Sequence, residues 1–102
     1  MKKVIDGKIY NTDTADEIAC GGNDLSPGDF GYCDEWLHKT KKGAWFVYGE
    51  GGPASRWAKS CQGGRCDGDG IEVLTEAEAL HWCEVNNVSA DTVAKYFKVE
   101  EA

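Results

Sequence analysis

The chain has 102 residues, enough for one domain with a modest core, and 41% of them are hydrophobic, too many for a disordered acidic segment. No apolar run approaches the roughly 20 residues that cross a bilayer, which excludes a helical membrane span. The net charge is −7, and all of it falls in residues 67–102, because residues 1–66 carry equal numbers of acids and bases. That acidic end (Asp67, Asp69, Glu72, Glu76, Glu78, Glu84, Asp91, Glu100 and Glu101 against Lys95 and Lys98) repels phosphate backbones and argues against direct nucleic-acid binding.

Met1-Lys2-Lys3 begins like a signal peptide, but Asp6-Gly7-Lys8 interrupts any apolar stretch. A cytoplasmic protein is the expectation. Val4-Ile5 and Lys8-Ile9-Tyr10 around Asp6-Gly7 predict an N-terminal hairpin, since that dipeptide accepts the positive φ angles of a tight turn. Thr14 and Glu17 have capping-box spacing and predict a short helix over 14–19, ended by Gly21-Gly22. Asn23 to Asp29 reads as loop, with Ser26-Pro27-Gly28 as turn chemistry.

From Phe30 to Tyr48, two aromatic-rich runs flank Lys39-Thr40-Lys41-Lys42-Gly43 and predict a central aromatic hairpin. Ala54 to Ser60 suggests one or two helical turns, Gln62 to Gly70 a glycine-rich loop, and Ile71 to Leu74 a short strand. Thr75 and Glu78 form a second capping box, opening a helix that Asn86-Asn87 ends. Ser89 caps a last helix with Val93, Tyr96 and Phe97 on one stripe. The sum is a single α+β domain over 1–102, a small antiparallel sheet with C-terminal helices.

Four of the five cysteines lie in glycine-rich segments that need an external tie: Cys20, Cys33, Cys61 and Cys66. Four such thiols could pin the fold around a structural zinc, with His38 or His81 able to replace one of them. The spacing from Cys61 to Cys66 suits a zinc loop better than the long gap from Cys20 to Cys33. The alternative is four unrelated reduced thiols, as is usual in the cytosol. Cys83, one turn after Leu80, reads as core.

Catalytic signals are weak, so no enzyme is expected. Cys33 with His38 is the one local nucleophile and base pairing, and five residues along a strand puts them on opposite faces. Gly49-Glu50-Gly51-Gly52 lacks the Lys-Ser or Lys-Thr of a phosphate-cradling loop. Lys39, Lys41 and Lys42 with Trp36, Trp45 and Tyr48 could touch nucleic acid, but cross-strand aromatics under a solvated turn is the favoured reading. Trp36, Trp45, Trp57 and Trp82 could instead anchor a protein partner.

The segments Lys3–Thr12, Lys39–Phe46 with Gly49–Gly52, and Leu74–Ala79 resemble a family of small bacterial proteins scattered over prophages and other mobile elements. In size, charge and lack of an active site the chain is similar to anti-CRISPR inhibitors, some of which block Cas9 by occupying its nucleic-acid-binding surface. The resemblance implies a non-enzymatic inhibitor whose partner is a protein effector with a basic groove. The acidic residues expected to meet it are Glu72, Glu76, Glu78, Glu84, Asp67 and Asp69. The alternative is a zinc-stabilised regulatory or housekeeping module of the bacterial host.

Overall fold

The computed structural model describes residues 1–23, 25–26 and 28–102. Strands β1 (Lys2–Ile5) and β2 (Lys8–Asn11) form the expected hairpin. Asp6 and Gly7 turn it with φ of 51° and 77°, both in the left-handed region that this turn requires. Next come β3 (Asp16–Gly22), β4 (Cys33–Lys39) and β5 (Trp45–Gly51), then the small hairpin β6 (Lys59–Cys61) and β7 (Gly64–Cys66), and β8 (Gly68–Leu74). Helices α1 (Glu76–Val85) and α2 (Ala90–Tyr96) end the chain.

The main sheet is antiparallel in the order β3-β4-β5-β8. Alternation along β4 and β5 sorts side chains to two faces. Leu37, Trp45 and Val47 meet Ala79, Trp82 and Cys83 of α1, with Phe97 closing the cluster after α2. Trp45 and Phe97 stack at 4.7 Å. On the other face Phe46 and Ile71 are covered by Tyr10 of the N-terminal hairpin. Leu37, Phe46 and Val47 are fully buried, each contributing about 1.5–3 kcal/mol of transfer free energy.

The helix starts are as expected. Glu78 N donates to Thr75 Oγ1 at 3.1 Å while Thr75 N donates to Glu78 Oε1 at 2.9 Å. Ser89 Oγ accepts from Thr92 N. Cys83 lies in the core.

Three expectations are corrected. Residues 14–19 are not a helix: after a turn at Thr12 to Ala15 the chain runs into β3, which pairs with β4 from Asp16↔Lys39 to Gly22↔Asp34. Ile18 and Ala19 pack against the helix-side core, so completing the sheet outweighs a local capping signal. Residues 54–60 form turns leading into β6 rather than a helix. The glycine-rich stretch from Gln62 is ordered as the β6–β7 hairpin and the start of β8. The turn expected at Ser26-Pro27-Gly28 falls, at Pro27, outside the described residues. Among the described residues no helix is long and apolar enough to cross a membrane.

Candidate binding groove

Glycine alternates along two neighbouring strands. Gly49 pairs with Gly70 and Gly51 with Gly68, which leaves a bare strip on the helix-side face of β5 and β8. The connection before β6 lies on this strip. A Cβ at Gly49 would collide with the Trp57 ring, and one at Gly51 with Ser55. Trp57 and Arg56 are thereby delivered to Glu35 on β4.

Glu35 is 7% exposed. Its Oε2 accepts from Arg56 Nε at 2.6 Å and Trp57 Nε1 at 2.9 Å, and its Oε1 accepts from Trp82 Nε1 of α1 at 2.8 Å. Burial alone would push the carboxyl pKa up. The hydrogen bonds from Arg56, Trp82 and Trp57 outweigh it and hold the group below the usual carboxylate value. Arg56 continues outward to Glu72 at 3.0 Å. One carboxylate thus ties the sheet, the connection and the helix together.

A groove of about 630 Å³ opens between α1 and the sheet above this network. Leu74, Ala77, Trp82 and Val85 supply its apolar wall, and Glu72, Glu78 and His81 stand at its sides. Val85 is 64% exposed, so the wall reaches solvent.

Of the six acids expected to meet a partner, Glu72 and Glu78 line this groove, and Glu76 and Glu84 are exposed on α1. Asp67 and Asp69 do not join them. They line a separate cavity of about 460 Å³ with Tyr32, Glu50 and Lys59. Alternation along β8 puts Asp69 on the face opposite Glu72. There Asp34, Glu50 and Asp69 stand in register across three strands. The Tyr32 hydroxyl donates to Glu50 at 2.8 Å or Asp34 at 3.0 Å, and Lys59 pairs with Asp69 at 2.9 Å. The hydrogen bond to Glu50, with burial, pushes the Tyr32 hydroxyl well up.

The four cysteines expected to hold zinc are not brought together. Cys20 sits opposite Trp36 on the face away from the helices. The Cys33 thiol lies 3.7 Å from Glu35 on the helix side. Cys61 and Cys66 share the small hairpin. Among the described residues no group of three or more His, Cys, Asp or Glu side chains is placed to hold a metal ion. The tetrathiolate set does not fit this arrangement. His81 is exposed and lies 3.7 Å from Glu84, while His38 is buried and stacked on Phe46 at 4.9 Å.

The chemistry of Cys33 is equally restrained. Burial, then the Glu35 charge, raises its thiol pKa, which disfavours the nucleophilic thiolate. His38 Nδ1 faces the Trp36 carbonyl oxygen at 3.0 Å, on the opposite side of the sheet from Cys33. The basic hairpin gives no open stacking platform at Trp45, which is 4% exposed with Lys39 over its ring. Trp82 is buried as well, and Trp57 is spent on Glu35.

Sequence reasoning missed the Glu35, Arg56, Trp57 and Trp82 constellation. The signal that could have found it is the period-two glycine at 49, 51, 68 and 70, which marks strands approached closely by another segment. No protein-family model, curated protein or solved structure matches the chain.

Proposed function

We propose that this chain is a non-enzymatic binding protein of the cytoplasm, an inhibitor of the kind carried by phages and mobile elements. Its partner is an effector whose surface normally holds nucleic acid, with Cas9 the leading candidate. The observation that carries this reading is the apolar groove flanked by Glu72 and Glu78, with Glu76 and Glu84 exposed elsewhere on the same helix. Apolar side chains of a partner would gain burial in the groove. The carboxylates around it would meet the lysines and arginines of a phosphate-binding surface and steer the encounter.

The rest of the site supports binding over catalysis. Glu35 has its oxygens occupied by three donors, and the one thiol beside it is held protonated. An apolar wall with charged edges suits a surface that meets a protein partner.

The test is a plasmid-interference assay with this protein co-expressed with Cas9 and guide. The unaltered protein should protect the plasmid, and a variant with Glu72, Glu76, Glu78 and Glu84 changed to lysine should not. These carboxylates are exposed; the reversals remove the Arg56–Glu72 pair, worth about 0–1 kcal/mol, and the Glu78 half of the Thr75 capping box, worth about 1 kcal/mol, so the fold should survive with lowered stability. Full protection by that variant would remove the acidic groove from the mechanism.

A further inference from the structure

The hairpin β6–β7 carries two thiols that the groove does not use. Its register places Cys61 opposite Gly64 and Lys59 opposite Cys66. Residues paired in this way share a face, so Cys61 and Cys66 project to the same side of the hairpin. Gly64 has no side chain to stand between them, and the space a Cβ would take there is free of other atoms. Gly63, with φ of 88°, turns the strand back immediately before it. Cys61 is exposed and Cys66 half-buried.

From this arrangement we infer that Cys61 and Cys66 form a dithiol site that reacts with small-molecule disulfides and closes into a disulfide across the hairpin. This inference is independent of the groove and its partner. The neighbouring Cys66 raises the Cys61 thiol pKa, and the Cys66 thiol itself donates to the Lys59 carbonyl oxygen at 3.6 Å.

The reaction balances with glutathione disulfide as oxidant. A thiolate of the pair attacks one sulfur of that disulfide, its S–S bond breaks, and one glutathione leaves as a thiol. The second protein thiolate then attacks the protein sulfur of the mixed disulfide, and the second glutathione leaves. Two protein thiols are oxidised to one disulfide, and one disulfide is reduced to two thiols. A reducing glutathione pool reverses the sequence.

The other cysteines lack this option and serve as controls. Cys20 is exposed on β3, across from Trp36. Cys33 sits beside the Glu35 carboxylate, and Cys83 is 1% exposed in the core.

The experiment treats the full chain with oxidised glutathione, alkylates the remaining thiols, and maps tryptic peptides by mass spectrometry. Cleavage after Lys59 and Arg65 puts Cys61 and Cys66 on separate peptides, so the disulfide appears as a linked pair. The expected result is that pair without glutathione, with Cys20 carrying a glutathione adduct. In Cys61→Ser, Cys66 should keep its adduct, and in Cys66→Ser, Cys61 should. The linked fraction should also fall several-fold when the reaction is run in urea, because the hairpin register holds the thiols together. Separate adducts on both cysteines of the unaltered protein, or equal closure in urea, would overturn the inference.

Discussion

Trp82 reaches from α1 to donate its indole N–H to Glu35 on β4 at 2.8 Å, across 47 positions of the chain. The same carboxylate receives Trp57 and Arg56. Glu35→Ala would leave two indole donors without their acceptor, while the part-exposed Arg56 keeps Glu72. The expected loss is about 2–4 kcal/mol, from orphaned donors at about 1–3 kcal/mol each. At about 4–8 °C per kcal/mol for a domain of this size, the melting temperature should fall by roughly 10 °C or more. Glu35→Gln retains one acceptor oxygen and should fall less. Equal melting temperatures for Glu35→Ala and the parent would remove the hub.

Acid should unfold the protein in two stages. His38 is held neutral by burial, which lowers its pKa in the fold. The unfolded chain takes that proton first, so stability should begin to fall as pH drops through about 6.5. Glu35 is held ionised in the fold, so its contribution is complete above about 4.3 and is lost as pH falls through its lower folded value. Melting curves from pH 8 to pH 3 should show both losses. His38→Phe should remove the first and Glu35→Gln the second, and an unchanged acid limb in Glu35→Gln would contradict the assignment.

The glycine strip offers a sharper substitution. A methyl group at Gly49 would occupy the Trp57 ring position. Gly49→Ala should displace Trp57, break its bond to Glu35 and cost at least about 1–3 kcal/mol from the orphaned polar groups. At Gly7 nothing lies near the added carbon, but φ is 77°, so Gly7→Ala should cost only its local backbone strain, about 1–2 kcal/mol. Tryptophan fluorescence separates the two, since only Gly49→Ala should shift it.

Metal removal distinguishes the two accounts of the cysteines. With Cys20 and Cys33 apart from each other and from the Cys61 and Cys66 pair, the core carries the fold, and a chelator should leave the melting temperature unchanged. Stoichiometric zinc by elemental analysis, with a melting temperature that drops on chelation, would show that the thiols converge after all. A structural zinc contributes on the order of 10 kcal/mol, so the drop could not be missed.

What the sequence revealed was local chemistry. Asp6-Gly7, Thr75 with Glu78, and Ser89 each act within a few residues, and each produced the turn or cap expected of it. Thr14 with Glu17 carries the same local pattern as Thr75 with Glu78, yet it leads into β3, because the open edge of β4 supplies a ladder that a single helical turn cannot match. The glycines at 68 and 70 read as part of a loop, whereas their flatness, with that of Gly49 and Gly51, is what admits Trp57. The groove joins Glu72 of β8 to Glu78 of α1 and leaves Asp69 on the other side, a division set by strand alternation and hidden in a count of charges.

The most direct measurement is the affinity of the purified protein for Cas9 across a salt series, alongside the Glu72→Lys, Glu78→Lys double variant. An acidic groove meeting a basic surface should bind at low salt and weaken steeply as the Debye length shrinks from about 10 Å at 0.1 M, and the variant should lose binding while remaining folded, with a melting temperature lowered only by the loss of the Thr75–Glu78 cap and the Arg56–Glu72 pair, about 1–3 kcal/mol together. Absence of binding, or an affinity indifferent to both salt and the two reversals, would contradict the proposal.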